Sequence, residues 1–353
     1  MSRNPWRDGF GRVAVRSAQV LLVLAVVVVV GFVMVRLRLV VVPLLIATLI
    51  AAAATPLVEW LARRGVPRPL AVWLTLLAGF GLLGGAGWLV GSAVRDQFEE
   101  LQTGAVDGFT KLQTYLTDGP IGLDEADLDR ARAALGEAIS GSALQTGAVS
   151  GAVAVVEVVA GLFLGIVLLY FLLADGRRIL LFLRDLWPGR HHARLHAIAE
   201  RSVDVLGGYV RGTAIIAFVD ALFIGVALVV LGVPLALPLA VVVFIGAFVP
   251  LVGATVAGVL AALIALVANG PVTALIVLAV VIAVNQIEGD VLAPVVLGRS
   301  LSLHPLAILL ALSAGTIVAG IIGAILAVPF AAVIWAAVST VREEPVPQAV
   351  DGP

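Results

Sequence analysis

The polar side chains that could act on a solute are concentrated in one short segment near the end of a hydrophobic stretch. It carries two adjacent amides, Asn285 and Gln286, followed by two carboxylates, Glu288 and Asp290. An amide offers both a hydrogen-bond donor and an acceptor, which suits a hydroxyl-rich solute or a cation that has shed its water. On a helix, Gln286 and Asp290 are four residues apart and share a face. Asn285 and Glu288 share another face. We therefore expect this segment to contact a solute or an ion.

A structural alternative exists for the same segment. It could be the end of a helix whose two acids form ion pairs with Arg299, further along the chain. A connecting loop would not need two adjacent amides at the end of a hydrophobic helix, however, and this favours the solute-contacting interpretation.

Two further acids stand alone in apolar stretches, Asp220 and Glu157. An ionisable side chain inside a membrane span is costly, and by default it marks a pathway for solute or ions. The structural alternative for Asp220 is an ion pair with a nearby arginine such as Arg211. Both acids are therefore candidates for the substrate or ion pathway.

The elements that must position these residues are membrane helices. The chain is 61% hydrophobic and only 13% charged, whereas a soluble domain has about a quarter of its residues charged. No Asp, Glu, Lys or Arg lies between Asp220 and Glu288. A crossing needs about 20 mainly apolar residues, so this run is long enough for about three. The uncharged run from Ser300 to Val341 is long enough for two, or for one crossing plus a hairpin.

The predicted fold is an all-α polytopic membrane protein of about eight transmembrane helices, with two Pro/Gly-interrupted, hairpin-like segments in the C-terminal half. Arginines dominate the N-terminus and the segment after the fourth span, which places both on the cytoplasmic side. The predicted parts are 1–94 (spans one to three), 95–147 (an acidic helical insert outside the cytoplasm), 148–174 (span four), 175–212 (a basic, amphipathic cytoplasmic helix), 213–341 (a C-terminal transport core) and 342–353 (a disordered tail).

Composition excludes several classes of function. A net charge of −1 argues against nucleic-acid binding, which requires a basic face. The absence of cysteine rules out disulfides and thiolate metal sites. Because no phosphate-binding loop of the type GxxxxGK[ST] is present, the chain does not hydrolyse ATP by that route. We expect no metal, no cofactor and no enzymatic activity.

Helix-breaking residues interrupt both uncharged runs. Proline removes a helical hydrogen bond and glycine loosens the backbone, so such positions are expected to break helices within the bilayer. Paired, interrupted segments of this kind are the best sequence pointer to a transporter's binding site. The predicted break or gating positions are Pro250, Gly253, Pro294, Gly298, Pro305, Gly315, Gly320, Gly323 and Pro329.

The segment from Asn285 to Ala307 reads NQIEGDVLAPVVLGRSLSLHPLA, and it closely resembles the signature of the autoinducer-2 exporter family, also called PerM-type permeases. Tyr209 to Gly212 (YVRG) and Phe248 to Gly253 (FVPLVG) match the family as well. The resemblance implies a bacterial inner-membrane protein of about eight spans that forms a homo-oligomer. It further implies export of a small polar solute, autoinducer-2 in some relatives, or sodium(lithium)/proton antiport in others.

Three interpretations remain open at this point. The leading one is a secondary exporter of a small polar solute, in which the amides bind solute and Glu288 or Asp290 carries a coupling proton or a charge-dependent gate. The second is a monovalent cation/proton antiporter, with Asp220 or Glu157 as the exchanging carboxylate. The third is a scaffold in the lipid bilayer that transports nothing.

Overall fold

The structure, a computed structural model, describes residues 9–96, 148–185, 192–249, 253–297 and 303–342. Across these ranges the chain is helical and contains no strand, so the predicted all-α class is confirmed. Most of the predicted acidic insert and the C-terminal tail lie outside the described residues.

Ten α-helices and one π-helical segment follow one another along the described chain. They are α1 (Gly9–Arg36), α2 (Arg38–Arg63), α3 (Arg68–Asp96), α4 (Ala148–Asp185), α5 (His192–Val230), α6 (Ala236–Gly246), α7 (Gly253–Asn269), α8 (Pro271–Ile287), the π segment (Glu288–Leu292), α9 (Ala293–Leu297) and α10 (Pro305–Arg342).

Seven helical stretches of the described residues are long and apolar enough to cross a membrane, which confirms a multi-pass protein. About eight crossings were expected. The difference lies in the first interrupted segment, where α6 has 11 residues and α7 has 17. Each is shorter than the roughly 20 residues that a crossing requires. These two helices therefore count as a hairpin and not as two full spans.

The first hairpin, α6 and α7, closes through a pair of glycines. A Cβ atom added to Gly246 would lie 2.9 Å from the carbonyl oxygen of Gly253, and one added to Gly253 would overlap the carbonyl oxygen of Gly246. The two backbones can approach this closely only because neither residue carries a side chain. Gly253 also begins α7, whereas the predicted break residue Pro250 lies outside the described residues.

The second hairpin is formed by α10 alone. Its backbone leaves helical geometry at Ala319 and Gly320, and Gly320 has φ 60° and ψ −138°, a conformation that suits glycine. The chain reverses there, and Gly315 on the first arm contacts Gly323 on the second. The backbone of each glycine occupies the space that a Cβ atom on the other would need. Pro329 is fully buried in the second arm.

A buried apolar cluster fixes α5 against the first hairpin and α8. Ile224 and Leu228 of α5 pack with Val243 of α6, Ala261 of α7 and Val281 of α8. A smaller cluster joins α2, α3 and α4. Burial of apolar side chains within protein gives α5 and α8 a fixed register, and the polar residues of interest lie on these two helices.

Two helices run through boundaries that the sequence analysis placed at membrane surfaces. Helix α4 continues past residue 174 to Asp185, and α5 runs without interruption from His192 to Val230. The predicted basic cytoplasmic segment is thus built from the ends of two long helices. A change of polarity along the chain marks a membrane surface, but it does not end a helix.

The glycine pairs generate a prediction about stability. Gly323→Ala should lower the free energy of unfolding by about 1–3 kcal/mol, because the new methyl group would overlap the carbonyl of Gly315 and force the arms apart. The measurement is the thermal unfolding midpoint of the purified protein in detergent. Gly85→Ala is the matched control, since a Cβ there meets nothing within 4 Å. Equal midpoints for the two variants would contradict the close approach.

Candidate functional site

The carboxyl group of Asp220 lies in the interior of the helix bundle. Asp220 is 0% exposed, and neither of its carboxyl oxygens has a hydrogen-bond partner of normal length and angle. The ion pair with Arg211 that would have explained Asp220 structurally is not formed. Arg211 instead donates a hydrogen bond to the backbone carbonyl of Ala52, at 3.1 Å. A buried, unsatisfied carboxyl group reduces stability, which is typical of a residue kept for function.

Glu288 is the acidic neighbour of Asp220. The two carboxyl groups are close enough to interact electrostatically across the junction of α5 with the end of α8. Asp220 comes 68 positions before Glu288 in the numbering of the chain, so only the packing of α5 against α8 reveals the pair. Two carboxyl groups that share an apolar site repel each other when both are ionised, so such a pair tends to hold a proton or attract a cation.

Glu288 also begins the π-helical segment. The N–H of Ala293 donates to the carbonyl of Glu288, a bond that spans five residues and not the four of an α-helix. Single π-helical turns within α-helices are frequently found at functional sites. The predicted solute-contacting segment is therefore also a distorted one.

Asn285 contributes a third unsatisfied acceptor. Its Oδ1 atom is buried without a hydrogen-bond partner, and the residue lies beside Val284, which belongs to the same apolar cluster as Ile224 of α5. Among the described residues, buried side-chain oxygens without a partner occur on Asp220 and Asn285. The amide and the acid are thus positioned on the two packed helices that also bring Glu288 to Asp220.

Gln286 and Asp290 point elsewhere. The amide nitrogen of Gln286 donates to Asp290 Oδ2 at 2.6 Å, and both residues are exposed. The expected sharing of a helix face is confirmed. Because the two side chains satisfy each other, they form a polar surface beside the buried site and do not extend it. Arg299, the proposed partner of the acids in the structural alternative, lies outside the described residues, as does Gly298.

Glu157 has a partner of its own. Its Oε2 lies 3.9 Å from the guanidinium of Arg38 at the start of α2, and both side chains are substantially exposed. It stands at the end of a candidate span. The structure thus brings Glu157 to Arg38, the first residue of α2. Its ion-pair partner is therefore not part of the pair of Asp220 and Glu288.

The remaining break positions lie at helix ends or in hairpins. Pro305 begins α10 next to His304, whose Nδ1 accepts a hydrogen bond from the N–H of Leu306. Pro294 lies exposed in the five-residue α9. Sequence reasoning missed Gly246, the partner of Gly253. The signal was present, since a glycine on each side of a predicted break permits the two arms to touch.

Known proteins resemble this chain over most of its length. The profile of the AI-2E family transporter matches residues 21–343. A protein of Mycobacterium tuberculosis (strain CDC 1551 / Oshkosh), named Putative transport protein MT0215, is 40% identical over 311 residues, covering 88% of this chain and 85% of the relative. Two proteins of Bacillus subtilis (strain 168) carry the names Putative transport protein YrrI and Putative transport protein YueF. They are 28% and 29% identical and each match covers 83% of this chain, with 84% and 82% of the respective relatives covered.

The unsatisfied state of Asp220 leads to a testable expectation. Asp220→Asn should raise the free energy of unfolding by about 1 kcal/mol or more, because it replaces a buried carboxyl group, whose ionised form is costly to bury, by a neutral amide of the same size. Chemical unfolding in mixed micelles measures it. Asp290→Asn, at an exposed position, is the control and should change stability by less than about 0.5 kcal/mol. A clear loss of stability in Asp220→Asn would show that the carboxyl group has a structural partner.

Proposed function

The chain belongs to the AI-2E transporter family, and from this premise we propose that it is a secondary transporter that exports a small polar solute from the bacterial cytoplasm. The observation that carries the proposal is the buried pair of Asp220 on α5 and Glu288 at the end of α8, with the buried amide oxygen of Asn285 three residues before Glu288. Unsatisfied polar side chains inside a membrane bundle favour a transport pathway over a structural role.

The amide and the acids have separate roles in this proposal. Asn285 donates and accepts hydrogen bonds with hydroxyl or carbonyl groups of the solute. Glu288 holds a proton or a charge that changes as the pathway opens to one side or the other, and the π-helical turn lets that part of α8 move. The two glycine-closed hairpins are the gating elements, because their arms contact through backbone and can slide without interlocking side chains.

Autoinducer-2 is the solute we propose, on the strength of the family resemblance. It is a small, hydroxyl-rich molecule, and it suits a site of one amide and two carboxyl groups. We further propose that the protein is a homo-oligomer in the inner membrane with both termini on the cytoplasmic side, where the N-terminal arginines would lie.

Export can be tested in cells that synthesise autoinducer-2 and lack an exporter of their own. Expression of the native chain should raise extracellular autoinducer-2, measured with a luminescent reporter strain. Glu288→Gln should lower the efflux rate by about tenfold or more, because loss of the charge removes an interaction needed while the pathway switches. Asp290→Asn, matched in chemistry but directed away from the buried site, should leave efflux unchanged. An efflux rate equal to that of the native protein in Glu288→Gln, at equal membrane abundance, would contradict the proposed role of Glu288.

The burial of Asp220 favours a second candidate function, monovalent cation/proton antiport. A buried carboxyl group that lies beside a second acid is suited to exchange a proton for a cation. In this alternative the pair of Asp220 and Glu288 is the exchange site and Asn285 supplies a further oxygen ligand. Glu157 is excluded from that role in the proposal, because it already pairs with Arg38.

Proteoliposomes with an internal fluorescent pH probe distinguish the two functions. If the chain is an antiporter, an imposed sodium gradient should change the internal pH, and Asp220→Asn should abolish the change because it cannot exchange a proton. Glu157→Gln serves as the control and should retain the native rate, since a surface ion pair contributes little. No pH change with the native protein would exclude antiport. Failure of both assays would favour the scaffold.

A further inference from the structure

A proline in α2 leaves one backbone carbonyl without its helical donor. In an α-helix, the N–H of each residue donates to the carbonyl four residues earlier. Pro56 lies inside α2 and has no N–H, so the carbonyl of Ala52 loses that bond. Ala52 is buried between helices. Inside a membrane protein, a buried carbonyl must find another donor, since lipid provides none.

Arg211 of α5 supplies that donor. Its Nη1 atom donates to the carbonyl oxygen of Ala52 at 3.1 Å, linking residues that are far apart in the chain. The guanidinium group has only donors, and arginine within membranes is commonly stabilised by backbone carbonyls. The freed carbonyl and the arginine therefore satisfy each other.

Gly207 makes this contact possible. It lies one helical turn before Arg211 on the same side of α5. A Cβ atom at residue 207 would lie 2.6 Å from the carbonyl oxygen of Ala52 and 2.8 Å from Nη1 of Arg211. Any larger side chain would push α5 away from α2 and break the hydrogen bond. Three features thus meet at one point: the proline that frees the carbonyl, the glycine that allows the approach and the arginine that donates.

We propose that Pro56, Ala52, Gly207 and Arg211 form a clamp that fixes α5 against α2 and thereby holds Asp220 in its buried position. Asp220 follows Arg211 on the same helix, about 13 Å further along its axis at 1.5 Å per residue. A helix anchored there cannot slide or rotate freely. Arg211 is accordingly a positioning residue, and it acts on Asp220 through α5 without touching solute. The clamp does not depend on which solute or ion is transported.

The clamp is tested by a double-mutant cycle between Arg211 and Pro56. The probe is dicyclohexylcarbodiimide, an apolar reagent that modifies carboxyl groups within membranes. The readout is the rate of modification of Asp220, followed by mass spectrometry of its peptide from the full-length protein in membranes. Arg211→Gln should raise this rate by about tenfold or more, because a hydrogen bond from a charged group is lost and α5 is released.

Pro56→Ala in the same chain should cancel most of that effect. Alanine restores an N–H at position 56, which can donate to Ala52 in place of the arginine. The double variant should therefore react at close to the native rate. Gly207→Ala should also raise the rate, but Pro56→Ala should not rescue it, because the steric overlap remains. Arg178→Gln is the matched control: Arg178 is exposed and pairs with Asp175 of the same helix at 3.4 Å, so the rate should stay native.

Two results would overturn the clamp. One is a native rate in Arg211→Gln, and the other is an equal increase in Arg211→Gln with and without Pro56→Ala. If Arg211→Gln does not accumulate in membranes, Arg211→Lys replaces it, because the shorter lysine side chain keeps the charge but reaches the carbonyl of Ala52 less well. The clamp predicts that Arg211→Lys raises the modification rate of Asp220 and that adding Pro56→Ala lowers it again. A rate that Pro56→Ala does not change would refute the clamp. Because the readout is not transport, failure of the proposed function leaves this test intact.

Discussion

A bilayer offers no hydrogen bonds, so every polar group within it must find a partner inside the protein or remain at a cost. This constraint accounts for two polar contacts that join separate helices. The carbonyl freed by Pro56 is satisfied by Arg211, and Glu157 lies against Arg38. The constraint is left unmet at Asp220 and at one oxygen of Asn285, among the residues that the structure describes. Selection for stability alone would replace such buried polar residues by apolar ones. Their position in the core is therefore the strongest indication of function.

The same constraint shapes the two hairpins. A reversal of the chain within a membrane protein needs backbones that lie close together, and glycine is the residue that permits this. Gly246 meets Gly253 in the first hairpin, and Gly315 meets Gly323 in the second. In the first hairpin, α6 packs against α5 and α7 packs against α8. Movement of this hairpin would therefore shift the helices that carry Asp220 and Glu288. Small residues at the contact lower the energy barrier to such movement, because no side chains interlock there. This property fits gating elements in a transporter.

Much of this architecture could be predicted from the sequence because it depends on local composition. The scarcity of charge identified a helical membrane protein, and prolines and glycines marked the interrupted segments. The structure adds what depends on distant residues. Asp220 and Glu288 are brought together only by the packing of α5 against α8, and the role of Arg211 depends on a proline in α2. Helices α4 and α5 continue past residues 174 and 212, because a helix can cross a membrane surface as long as its backbone hydrogen bonds continue.

The central claim is that Asp220 and Glu288 act as one pair that binds a proton or a cation. Infrared difference spectroscopy of the reconstituted protein, recorded as the pH or the sodium concentration is changed, observes carboxyl groups directly. We predict a carboxyl band that responds to the change in the native protein, disappears in Asp220→Asn, shifts in Glu288→Gln and persists in Asp290→Asn. A spectrum that is the same in the native protein and in the first two variants would contradict the claim.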